Sequence, residues 1–139
     1  MLNAPIDARR PMPAFVLLAL GALFLAGAHA GTDERAQMVH DLYEEFTSHG
    51  IYCEEDKMSK FFSADIVKEI MKACKADEYP PYTIIPGNDY DDAEVMRTLK
   101  VVPGSGSAYK ASFTNFSEPH TITYTFEKQR GQWRITGVE

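Results

Sequence analysis

The chain is short of several things, and each shortage narrows what it can be. Of its 139 residues two are cysteine, Cys53 and Cys74, too few for a multi-bridge disulfide scaffold or a cysteine-built metal cluster. Its longest apolar run, Ala14 to Leu25, is about 12 residues, against the roughly 20 that span a bilayer as a helix. Basic residues are outnumbered 14 to 20, a formal net charge of −6. Such a surface repels phosphate backbones and anionic head groups, so nucleic acid is not an expected partner. No internal repeat is present, and no Cys follows the apolar run to receive a lipid.

What is there begins with an export signal. Arg9 and Arg10 form a positive n-region, the apolar run follows, and Ala28-His29-Ala30 is a small-x-small cleavage site. The competing reading is an uncleaved anchor, which the short run disfavours. Pro11 and Pro13 stand where a twin-arginine signal carries polar and aromatic residues. The expectation is a signal peptide over 1–30 and a single domain over 31–139, periplasmic or secreted, with no membrane insertion after cleavage. Without Asp7, Arg9 and Arg10 that domain carries 12 basic and 19 acidic residues, a net charge near −7. In an oxidising compartment Cys53 and Cys74 read as a disulfide, with two buried free thiols as the alternative. Closing that loop would stabilise the fold by about 3 kcal/mol in the chain-entropy treatment.

The domain divides into a helical half and a stranded half. Thr32 reads as an N-cap ahead of Asp33 and Glu34, and Met38, Val39, Leu42, Tyr43 and Phe46 share one helical face that Gly50 ends. Cys53 to Lys57 reads as a linker. Met58 to Phe62 reads as a helical turn burying Phe61 or Phe62. Ser63 reads as the cap of a second long helix with Ile66, Val67, Ile70, Met71 and Cys74 inside and Lys68, Lys72 and Lys75 outside. Pro80, Pro81 and Pro86 make 77–92 a loop, and Tyr79, Tyr82 and Tyr90 suggest that it packs down in places.

Four strands are expected from there on: Glu94 to Val102, Ala108 to Asn115, His120 to Lys128 and Trp133 to Val138. Turns at Pro103–Ser107, Ser117–Pro119 and Arg130-Gly131 join them. The third alternates Ile122, Tyr124 and Phe126 with Thr121, Thr123 and Thr125, the mark of a half-buried strand. Connections this short make consecutive strands antiparallel neighbours. The expected fold is therefore α+β, with helices packed on a curved antiparallel sheet. Trp133 is expected as an internal anchor on the same alternation as Ile135.

The order helix, short helix, helix, Pro-rich loop, long meander resembles the nuclear-transport-factor-two-like α+β roll, the cone-shaped fold of ketosteroid isomerases, scytalone dehydratases and polyketide cyclases. The ending Phe126-Glu127-Lys128-Gln129-Arg130-Gly131-Gln132-Trp133-Arg134-Ile135 is similar to the last hairpin of that superfamily, where G-x-W-x-I opens the final strand. Residues 34–139 also resemble a group of small exported bacterial proteins of this fold, filed as a domain of unknown function. There a helical x-x-Y-x-x-Y/F precedes a D-Y-x-D loop, matched here by Leu42-Tyr43-Glu44-Glu45-Phe46 and Asp89-Tyr90-Asp91-Asp92. That resemblance implies fold and compartment and no established activity.

No His, Cys, Asp or Glu set stands at catalytic or metal-ligand spacing, so no catalytic residue, metal or cofactor is expected. The acidic run Asn88 to Glu94 lacks the central Gly and distal Glu of a calcium loop. It reads as a solvated loop with Asp89 or Asp92 capping backbone amides. Two functions from different classes remain. One is a non-catalytic binding protein of the bacterial envelope, an accessory or an inhibitor or immunity type, engaging an envelope protein or a small apolar ligand through Tyr79, Tyr82, Asp89, Tyr90 and Asp91, as monomer or homodimer. The other is an enzyme of the ketosteroid isomerase, dehydratase or cyclase type using a carboxylate in the cone pocket.

Overall fold

The computed structural model describes residues 33–49 (of 47–49 the backbone only), 53–78, 82, 84 and 89–139. The expected signal peptide, Gly31, Thr32, Gly50, Tyr79, Pro80, Pro81 and Pro86 lie outside the described residues. The elements run α1 (Glu34–His49), α2 (Glu55–Phe61), α3 (Ala64–Lys75), α4 (Asp92–Thr98), β1 (Lys100–Pro103), β2 (Ala108–Asn115), β3 (Glu118–Gln129) and β4 (Gln132–Val138). The strands form one antiparallel sheet in the order β1-β2-β3-β4, so the fold is α+β with helices on one face of the sheet.

Asp33 caps α1. Its carbonyl accepts the Gln37 N–H at 3.0 Å, and its carboxylate accepts the Arg35 N–H at 2.9 Å. The periodicity then does what its spacing demands: Val39, Leu42, Tyr43 and Phe46 are buried and Met38 packs at their edge. Helix α2 starts earlier than expected, at Glu55, and both Phe61 and Phe62 are buried. Ser63 occupies the N-cap position of α3, but its side chain makes no capping bond. Its N–H instead donates to the Ile135 carbonyl at 2.9 Å, next to a parallel bridge between Phe62 and Ile135. The α2–α3 junction thus covers part of the free edge of β4, where unpaired backbone would invite another strand. The Cys53–Cys74 disulfide is formed and ties the entry to α2 to the last turn of α3.

The first expected strand is mostly a helix. Residues 92–98 form α4, and only four residues remain for β1. The Asp91 carboxylate accepts the Glu94 N–H at 2.9 Å and starts the helix. Val95 and Leu99, four apart, are its buried side. Where a longer strand would have continued the ladder, the Thr98 hydroxyl accepts the Thr114 N–H at 2.9 Å and replaces the missing backbone partner.

The remaining strands match the alternation. Tyr109, Ala111 and Phe113 of β2, Ile122, Tyr124 and Phe126 of β3, and Ile135 of β4 point inward onto the helices. The β2–β3 turn lies one residue earlier than expected. Phe116 and Ser117 take left-handed conformations (φ 50° and 65°), and Glu118 and Pro119 already belong to β3. Pro119 costs the ladder nothing, because pairing along the other side of β3 ends with Thr123 and Glu139. Arg130 and Gly131 (φ 52° and 82°) make the second tight turn. A register shift at Thr125/Phe126 leaves Thr136 as an extra residue on β4, which increases the local bend of the sheet.

Trp133 is not the interior anchor expected. It is half-buried at the rim, with the Arg35 guanidinium 4.7 Å and the Lys128 ammonium 5.3 Å from its ring. The interior anchors are Tyr43, Tyr124, Phe126 and Ile135, all at 1 % exposure or less.

Candidate binding surface

One end of the molecule is assembled around Asn115, the last residue of β2 and one of two buried polar side chains among the described residues. Its carboxamide clasps the incoming loop on both sides of Tyr90. The Asp91 N–H donates to Oδ1 at 2.9 Å, and Nδ2 donates to the Asp89 carbonyl at 3.1 Å. A buried amide without partners is costly, so these bonds hold the loop to the strand end. The Glu94 carboxylate then accepts the Ser117 N–H at 3.0 and 3.3 Å, which pins the β2–β3 turn to α4. Loop, helix and turn are fixed to one another by side-chain to backbone bonds.

This frame holds two aromatic side chains in water. Tyr90 is 39 % exposed, with its ring 6.1 Å from that of Phe46, and Phe116 at the tip of the turn is 59 % exposed. Between α4 and the turn lies an open concavity of about 590 Å³, lined by Asp91, Ala93, Glu94, Arg97, Phe116 and Ser117. Asp91 and Arg97 of this lining are exposed, as are Asp89 and Asp92 on the adjoining loop and helix start. Of the acids, Asp91 provides the cap, not Asp89 or Asp92.

Three of the expected binding residues, Asp89, Tyr90 and Asp91, therefore lie together. Tyr82 does not join them: its hydroxyl donates to the Glu69 carboxylate of α3 at 2.5 Å, and that bond together with burial raises its pKa. Tyr79 lies outside the described residues. Phe116 at the surface and the buried Asn115 beneath it were not singled out by the sequence; Glu94 was named only as the end of the acidic run. Asp91-x-x-Glu94 ahead of Val95 has the spacing of a helix-start box and could have revealed α4. Nothing local marks Asn115, whose partners stand 24 and 26 residues earlier.

Among the described residues, side chains occupy the space between helices and sheet. The Tyr43 hydroxyl donates to the Ile84 carbonyl at 2.8 Å, and the Tyr124 hydroxyl donates to that of Tyr43 at 3.0 Å. Phe113 and Tyr124 pack edge-on against the Tyr43 ring. The gap bordered by Leu42, Phe46, Met58, Phe62, Ile70, Tyr82 and Ile84 has no room for a water molecule. Among the described residues the buried polar side chains are Ser63 and Asn115, and no three His, Cys, Asp or Glu side chains are grouped to hold a metal ion.

A second polar cluster ties the start of α1 to the sheet. Arg35 donates through Nε and Nη2 to the Asp33 carboxylate at 3.0 and 2.9 Å and stacks between the Tyr109 and Trp133 rings at 4.8 and 4.7 Å. The hydrogen bond from Arg35 holds the Asp33 carboxyl far below the usual carboxylate range. Burial, above all, pushes the Tyr109 phenol up.

No helix among the described residues is long and apolar enough to cross a membrane. No protein-family model matches the chain, and no curated protein matches it. Among solved structures, the crystal structure of a protein of unknown function from Bacteroides thetaiotaomicron is similar, with a TM-score of 0.57 and 19 % identity over 76 % of this chain and 88 % of that one. At that identity the likeness shows the fold alone.

Proposed function

We propose that this is an exported, non-catalytic binding protein of the bacterial envelope, built on the nuclear-transport-factor-two-like roll. It engages a basic protein partner through the end formed by Asp89, Tyr90, Asp91, Asp92 and Phe116. The observation that carries this reading is the exposure of Tyr90 and Phe116 on a hydrogen-bonded frame where, among the described residues, the carboxylates of Asp89, Asp91, Asp92 and Glu94 outnumber the one cation, Arg97. Rigid aromatic side chains give contact area at little entropic cost, and they are enriched among the residues that dominate binding energy. Acids around them attract a basic partner and speed its approach. The disulfide supports export, since such bonds persist in oxidising compartments. The filled interior favours binding at the surface over an apolar ligand held inside the cone. Capture from envelope extract tests this: the wild-type protein retains a partner that Tyr90→Ala/Phe116→Ala does not, both melting at similar temperatures. Equal retention by the two proteins rejects the proposed surface.

A further inference from the structure

Lys68, Lys72 and Lys75 lie four and three residues apart on α3, so they form one row about 10 Å long. All three are exposed, and none forms an ion pair with another described residue. Lys72 and Lys75 suit the C-terminal end of a helix, where carbonyls concentrate negative charge. Lys68 is a turn earlier, outside that benefit, and repels Lys72. The row borders a groove of about 450 Å³ between α2 and α3, lined also by Ala64, Met71 and the edge of the buried Val67, and by Glu55 and Ser59 of α2. Asp65 and Glu69 stand three residues before Lys68 and Lys72 on the same helix, but no carboxylate among the described residues is within ion-pair distance of the row, on a chain of net charge −6.

We propose that this groove docks an acidic amphipathic helix of a partner protein. The helix sets carboxylates one turn apart along Lys68, Lys72 and Lys75 and lays apolar side chains on Ala64 and Met71. The length of the row favours this occupant, because a single anionic head group would meet one lysine, whereas a helix with acids at matching spacing meets all three. An anionic bilayer is disfavoured twice: its recognition takes clusters of about four to eight basic residues, and the rest of the surface is acidic. The proposal shares no residue with the aromatic end and stands or falls separately from it.

The test uses the purified, disulfide-bonded protein and a labelled 14-residue helical peptide with Glu at i, i+4 and i+7 beside a Leu face, followed by fluorescence anisotropy. The Glu peptide is expected to bind at least about tenfold more tightly than its Gln counterpart at low salt, and the difference should shrink as salt screens it. Lys68→Glu/Lys72→Glu should abolish that preference. Met71→Ser should weaken both peptides while leaving the preference intact, and Lys100→Glu, on β1, should change nothing. Circular dichroism confirms that each variant is folded. The proposal is overturned if the Glu peptide does not bind at millimolar concentration, if both peptides bind alike, or if charge reversal has no effect. Lysine-dependent binding to phosphatidylglycerol vesicles without peptide binding, or lysine-dependent self-association in sedimentation, would likewise overturn it in favour of a membrane or a second copy.

Discussion

Asn115 and Asp91, 24 residues apart, are joined by a hydrogen bond of 2.9 Å from the Asp91 N–H to the Asn115 carboxamide. The same carboxamide reaches the Asp89 carbonyl, so one buried side chain carries the loop across the end of the sheet. Asn115→Ala removes both bonds and leaves the part-buried Asp91 N–H without its partner. It is expected to cost about 1–3 kcal/mol. Urea unfolding measures the loss, and amide exchange should show Asp91 and the first turn of α4 opening first. Unchanged exchange there would mean that the loop is held by something else.

The disulfide is expected to contribute as much as a large core side chain. Alkylating the unreduced, denatured protein should modify neither Cys53 nor Cys74. Cys74→Ala should lower stability by about 2–5 kcal/mol. Two alkylated thiols would refute the bridge.

Trp133 and Ile135 should separate. Ile135 is fully buried, and Ile135→Ala should cost about 2–5 kcal/mol by leaving a cavity. Trp133→Ala removes a half-buried ring and its contacts with Arg35 and Lys128, and should cost less, about 1–3 kcal/mol. Trp emission should be only partly shielded. A Trp133→Ala loss exceeding that of Ile135→Ala would place the ring inside the core.

The Asp33–Arg35 pair sets a pH dependence. The folded pKa of Asp33 is depressed, so its stabilisation is present above the unfolded value of about 3.9 and fades as pH falls below it. The pair is partly exposed, and Asp33→Asn should cost no more than about 1 kcal/mol at pH 7. The gap to wild type should narrow at pH 2.5. A gap that stays constant with pH would show that the carboxylate charge contributes nothing.

The strands were legible where alternation is strict and turns are tight. Ile122, Tyr124 and Phe126 announce β3, and Arg130-Gly131 announces the hairpin after it. The stretch from Glu94 was misread because Val101 and Val102 look like a strand end, while the four-residue spacing of Val95 and Leu99 fits a helix equally well. The helix prevails through the Asp91 cap and the Thr98–Thr114 bond, which is a tertiary contact. Trp133 alternates with Ile135 as expected, but it lies at the rim of the sheet and meets Arg35, in the first turn of α1 almost 100 residues earlier. Asp89, Tyr90 and Asp91 were visible as a polar, aromatic loop. Their arrangement with Phe116 was not, because it depends on Asn115 and Glu94 reaching across the fold.

The central claim is that the aromatic, acidic end is a contact surface for a basic partner. Side-by-side capture from envelope extract by wild type and by Tyr90→Ala/Phe116→Ala, at low and high salt, tests it most directly. The expected result is a partner retained by wild type, released by salt, and absent from a variant whose unfolding midpoint is unchanged. The same partner held equally by the variant, or held by wild type regardless of salt, would contradict it.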